Sequence, residues 1–110
     1  MMINLNDQNF NEFIKKTDKL ILIDFKADWC WPCKMLSPLI AKIAVDFEGK
    51  IEVGELNLDE SPLIANFYKV NAIPCLIFFK KGEEVKRLVG LQPMKVIVEE
   101  LNKLLNENKN

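Results

Sequence analysis

The run Leu20-Ile21-Leu22-Ile23-Asp24-Phe25 is followed, after a short polar step, by Cys30-Trp31-Pro32-Cys33, and an apolar repeat of helical spacing begins directly afterwards, near Lys34. A β-rich, almost continuously apolar run is the pattern of a central strand covered on both faces. A strand feeding a helix at this point brings both sulfurs to the helix N-terminus. Unpaired backbone N–H groups and the helix dipole favour negative charge there, so a thiolate is stabilised and becomes a usable nucleophile. Two thiols one helical turn apart can close into a small disulfide ring and reopen. The segment reads as a strand–turn–helix unit with a dithiol–disulfide redox centre at its junction.

Composition narrows what that centre can be. The chain has 110 residues, enough for one domain with one core spanning 1–110, and three cysteines, too few for a disulfide scaffold. There is no histidine, which excludes Ser-His and Cys-His catalysis and every histidine-containing zinc site. An all-cysteine zinc site needs a fourth ligand, so a metal would have to be shared between two chains. The net charge of −1 and the lack of a basic stripe give no support to nucleic-acid binding. No run approaches the roughly 20 apolar residues of a membrane span. The polar opening Met1–Asn11 has neither the positive start nor the apolar centre of a signal peptide, so a cytoplasmic location is expected. In a reducing cytosol a Cys-x-x-Cys pair is catalytic or metal-binding rather than structural.

The rest of the chain alternates strand and helix signals. Ile3–Leu5 reads as a first strand, and Asn6 or Asp7 as the cap of a helix burying Phe10, Phe13 and Ile14. Leu36, Leu39, Ile40, Ile43, Ala44 and Phe47 follow the i, i+3, i+4 rule, with Pro38 inside the pattern as a predicted kink and Gly49 as a stop. Ile51–Leu58 reads as an internal strand. Ser61-Pro62 fits an N-cap with proline at the first helical position, opening a helix through Tyr68. Cys75–Phe79 and Glu84–Val89 flank the turn Lys80-Lys81-Gly82-Glu83 as a hairpin. A last helix from about Pro93 carries Val96, Ile97, Leu101, Leu104 and Leu105 on one side, and Asn106–Asn110 is expected to fray. The order βαβαβαββα predicts an α/β fold, a mixed sheet with helices on both faces. Periodicity does not give the strand order.

Five local features resemble the thioredoxin family. Asp24-Phe25-Lys26-Ala27-Asp28-Trp29-Cys30-Trp31-Pro32-Cys33-Lys34 is similar to its active-site segment, and Pro38 matches the proline inside the following helix. Asn57-Leu58-Asp59 resembles the end of its third strand, Ala72-Ile73-Pro74 its cis-proline loop, and Val89-Gly90 the loop beside the active site. The resemblance implies the thioredoxin fold, a central five-stranded mixed sheet in the order 1-3-2-4-5 flanked by four helices. It implies a protein-disulfide reductase in which Cys30 is the exposed nucleophile and Cys33 the more buried resolving thiol. It further implies protein disulfides as substrates, a flavin-dependent thioredoxin reductase as partner, a monomer, and no bound cofactor. Two other readings of the cysteine pair stand beside it: a thiol oxidase or isomerase, and a non-enzymatic dimeric metal or iron–sulfur module.

The resemblance also assigns roles residue by residue. Asp24 interrupts a buried strand, where desolvation raises a carboxyl pKa, and the matching family acid exchanges protons with the resolving cysteine. Trp29 is expected to pack against the motif. Trp31, Pro32, Ile73, Pro74, Val89 and Gly90, with Leu58, are expected to form a shallow docking surface for an extended peptide. Two positions depart from the family pattern. Trp31 stands where glycine is usual, which adds bulk beside Cys30. Glu55 stands where lysine is common, so Glu55 either turns to solvent or shares a proton with Asp24. Cys75 reads as a small buried strand residue.

Overall fold

The computed structural model describes residues 2–107. Nine elements follow one another: β1 (Met2–Leu5), α1 (Phe10–Lys15), β2 (Leu20–Lys26), α2 (Trp31–Asp46), β3 (Ile51–Asn57), α3 (Pro62–Phe67), β4 (Cys75–Lys80), β5 (Glu83–Val89) and α4 (Met94–Glu107). The five strands form one sheet in the order β1-β3-β2-β4-β5. β3 pairs in parallel with both β1 and β2, whereas β2/β4 and β4/β5 are antiparallel. Helical crossovers permit the parallel pairs, and the tight turn after β4 enforces the antiparallel one.

Alternation along the strands divides the core into two layers. Leu20 and Leu22 of β2, Val53 of β3 and Phe78 of β4 face α2 and α4, which contribute Leu36, Ile40, Ile97 and Leu101. Ile21, Ile23 and Phe25 of β2, with Ile77 and Phe79 of β4, face Phe10, Phe13, Ile14 and Ile64 from α1 and α3. β2 is therefore apolar on both sides, as its unbroken sequence predicts. Asp24 belongs by parity to the α2/α4 side of the sheet.

Several local details differ from the sequence-based expectation, each for a specific reason. α2 begins at Trp31, not near Lys34, because Cys30 takes the cap position and Pro32 sits in the first turn, where no N–H partner is needed. Asn6 does not cap α1; its Oδ1 accepts from the N–H groups of Gln8 (2.8 Å) and Asn9 (3.0 Å) in a turn leading to the cap at Asn9. Asp7 caps a different helix. Its two carboxylate oxygens accept from the N–H groups of Leu63 (3.2 Å) and Ile64 (2.9 Å) at the start of α3. Ser61 fills the cap position of α3, yet its buried side chain makes no cap bond, because Asp7 already serves those donors. Val96 lies on the exposed side of α4, while Ile97, Leu101 and Leu104 are buried. Asn106 still belongs to α4, and the rest of the expected frayed end, from residue 108, lies outside the described residues. The hairpin turns through Lys81 and Gly82, both at positive φ (52° and 82°), the conformation that matches the twist of paired strands.

Candidate active site

Cys30 occupies the N-cap of α2 with extended backbone, and its sulfur accepts the backbone N–H of Cys33 at 3.2 Å. The sulfur thus replaces the oxygen of an ordinary capping residue and sits at the positive end of a 16-residue helix. No acidic residue lies in the first turn of α2. Cys30 and Cys33 are joined as a disulfide, with their Cα atoms 5.3 Å apart. Cys30 is 5% exposed and Cys33 1%. Cys30 is therefore not openly exposed in this oxidised form: bonded to Cys33 over the helix end, it packs with Ala27 and Cys33, and Ile73 lies against the cluster. It remains the more accessible of the two.

Other sequence-predicted residues gather around this pair. The Ile73–Pro74 peptide is cis, and the Pro74 carbonyl accepts from the N–H of Gly90 at 2.8 Å, tying the two loops together. Gly90 has φ 92°, a backbone conformation that glycine adopts without a side-chain clash. Val89, Pro32 and both tryptophans are exposed, Trp29 and Trp31 at 70% each. The Trp29 indole Nε1 donates to Asp59 Oδ2 at 2.8 Å, which holds the ring by its polar edge. Leu58 is half-buried and packs against the core layer of Phe10 and Phe25. The partner role of Asp59 was not read from the sequence; an acid directly after the third strand was the available signal.

Asp24 is 1% exposed, and neither carboxylate oxygen has a hydrogen-bond partner among the described residues. Burial pushes its carboxyl up to about 7, a rise opposed by Lys26 and reinforced by Glu55. Glu55 forms an ion pair with Lys26 at 3.1 Å, and no hydrogen bond joins it to Asp24. A hollow of about 270 Å³ lies alongside, lined by Lys26, Ala27, Asp28, Cys33, Lys34 and Ser37. Asp28 accepts from the Asn57 amide (3.2 Å), and the Ser37 hydroxyl donates to the Cys33 carbonyl (3.1 Å), so polar groups line this approach to Cys33. Cys75 is buried at the start of β4, and burial pushes its thiol up to about 11. Among the described residues no group of three or more His, Cys, Asp or Glu side chains is placed to hold a metal ion. No helix among them is long and apolar enough to cross a membrane.

A disulfide capping a helix, set beyond the end of the central strand of a five-stranded mixed sheet with two helices on each face, defines a thiol–disulfide oxidoreductase. The thioredoxin family model matches residues 1–103, and the chain belongs to that family. It is 42% identical to a thioredoxin of Staphylococcus haemolyticus, over 94% of this chain and 98% of that one. Identity to a thioredoxin of Rickettsia bellii is 40%, over 93% and 97%. Identity to a chloroplastic M-type thioredoxin of Spinacia oleracea is 37%, over 94% of this chain but only 57% of the longer spinach chain.

Proposed function

We propose that the protein reduces disulfide bonds of other proteins in the cytoplasm, with Cys30 as nucleophile and Cys33 as resolving thiol, in one domain spanning 1–110. The observation that carries this reading is the position of the Cys30 sulfur as the cap of α2. A thiolate there receives the Cys33 N–H and the helix dipole, which lowers the cost of its negative charge. Reduced Cys30 attacks a substrate S–S bond, forming a Cys30–substrate disulfide and expelling one substrate sulfur as thiolate. Cys33 then transfers its thiol proton to the Asp24 carboxylate, directly or through water in the neighbouring hollow. The Cys33 thiolate attacks Cys30, the Cys30–substrate bond breaks, and the second substrate sulfur leaves. The Asp24 proton can then neutralise that departing thiolate. Two electrons pass from the Cys30–Cys33 dithiol to the substrate.

Trp29, Trp31, Pro32, Ile73, Pro74, Val89 and Gly90 form the docking surface, on which an extended peptide lies beside Cys30. The exposure of both tryptophans supports this, since large aromatic surface facing water next to a reactive sulfur favours contact with a partner. A flavoprotein thioredoxin reductase would return the disulfide to the dithiol, with no cofactor bound to this chain. The test is NADPH-coupled reduction of insulin by the full chain with a bacterial thioredoxin reductase. Steady NADPH consumption that requires both Cys30 and Cys33 is expected. Oxidation of dithiol substrates without reductase-coupled turnover would instead make the protein an oxidase.

A further inference from the structure

The exchange of charges around Asp24 carries more than a family departure. Asp24 of β2 and Glu55 of β3 are direct register partners in a parallel pair, so their side chains leave the sheet on the same face, side by side. Lys26, two residues beyond Asp24, rises from that same face and reaches Glu55. Both members of the ion pair are largely covered, and Lys26 also lines the hollow that reaches Cys33. Lys26 thus belongs both to the face of the buried carboxyl, through its ion pair with the register partner of Asp24, and to the polar approach to the resolving sulfur. The remaining groups about this region are few. From α2 come Cys33 and Lys34, and from the loop before it comes Asp28, which accepts from the Asn57 amide at 3.2 Å. Glu100 of α4 is engaged with Lys86 of β5 at 3.6 Å, and Cys75 of β4 lies on the opposite face of the sheet.

We propose that Lys26 and Glu55 are a positioning pair for the proton exchange between Cys33 and Asp24, in which Glu55 and the Asp24 carboxylate compete for one ammonium group. The proposal rests on the reading of Asp24 as the proton partner of Cys33. With Asp24 protonated, Lys26 is satisfied by Glu55 and the group of three is neutral overall. With Asp24 ionised and ready to act as a base, two carboxylates share the Lys26 charge. Removal of a proton from Cys33 then restores the neutral arrangement. The directions in which the neighbours act on Asp24 agree: Lys26 pulls its carboxyl down and Glu55 pushes it up. The pair therefore sets the pH at which the base becomes available, without touching the sulfur.

The test uses the full reduced chain and a dithiobis(nitrobenzoate) probe in stopped flow, where attack releases the first coloured thiolate and resolution the second. Lys26→Gln is expected to move the midpoint of the pH dependence of the second phase upward by about one unit, and Glu55→Gln to move it downward. The charge-exchanged double variant, Lys26→Glu with Glu55→Lys, is expected to lie between the two single variants. A carboxyl NMR titration of Asp24 in each oxidised variant should show the same order. Midpoints that stay at the wild-type value, or that move in the same direction in both single variants, overturn the proposal. Asp24→Asn separates the two levels. If it flattens the second-phase profile while the pair variants leave the midpoint alone, the role of Asp24 stands and only the pair is refuted. If it leaves the profile intact, Asp24 is not the proton partner, and the proposal falls with that role.

Discussion

Replacing Asp24 by asparagine should change how stability depends on pH, and the size of the effect follows from its burial. An ordinary aspartate carboxyl ionises near 3.8, whereas that of folded Asp24 is pushed up to about 7 by loss of water, with Glu55 adding to the rise and Lys26 opposing it. Below pH 4 the group is protonated in both folded and unfolded chains and imposes no penalty. Between pH 4 and pH 7 the unfolded chain has released the proton and the folded chain still holds it, so stability falls by about 1.4 kcal/mol per pH unit. Above pH 7 both states are ionised and the full penalty, about 4 kcal/mol, is present. The oxidised wild-type protein should therefore lose stability as pH rises from 4 to 7, and Asp24→Asn should lack that slope. Because the asparagine amide is also buried without evident partners, the difference in slope is the diagnostic, not the absolute stability. Urea unfolding of both oxidised proteins at a series of pH values, with equal m-values, measures it. Parallel curves for the two proteins from pH 4 to pH 8 would refute the reasoning, because Asp24 would then ionise alike in both states.

Three further outcomes follow from particular contacts. Asp7→Ala should destabilise the fold by about 1–2 kcal/mol through loss of the α3 cap, and an unchanged denaturation midpoint would show that the two N–H groups find other acceptors. Cys75→Ser should keep most of the activity, and the native Cys75 thiol should be alkylated at least about a hundredfold more slowly at neutral pH than in unfolded chain; equal rates would place the thiol in reach of solvent. Trp31→Gly should alter the reduction potential and broaden the range of disulfides reduced, because it removes exposed aromatic bulk beside Cys30 and frees the backbone of the motif. Unchanged potential and unchanged rates across several target proteins would show Trp31 to be neutral.

What could be read in the sequence was mostly local. Phe10, Phe13 and Ile14 announce a helix face, and the unbroken run Leu20–Phe25 announces a doubly covered strand, because both patterns lie within one element. The cysteine pair at a strand–helix junction carries its chemistry in its spacing. Strand order came only from the family resemblance, since periodicity says which face of a strand is buried and not which strand lies beside it. The missed side-chain partnerships across the fold depend on residues far apart in the chain. Asp7 caps a helix 56 residues away, Trp29 finds Asp59, and Asn57 finds Asp28. Glu55 shows the limit most clearly: the resemblance placed it beside Asp24 correctly, but its actual partner is Lys26, two residues further along β2 and on the same face. Cys30 illustrates another limit, because its accessibility depends on the cover that Cys33 and Ile73 supply once the sheet has assembled.

The most direct test of the central account is the division of labour between the two sulfurs. Cys33→Ser and Cys30→Ser proteins, each reduced and incubated with disulfide-bearing target proteins, are resolved on non-reducing gels and mapped by mass spectrometry. Cys30 caps the open end of α2 and Cys33 lies more deeply covered in its first turn. Cys33→Ser is therefore expected to accumulate stable mixed disulfides through Cys30, while Cys30→Ser forms none. Targets trapped on Cys33 in the Cys30→Ser protein, with none on Cys30 in the Cys33→Ser protein, would reverse the assignment and contradict the account.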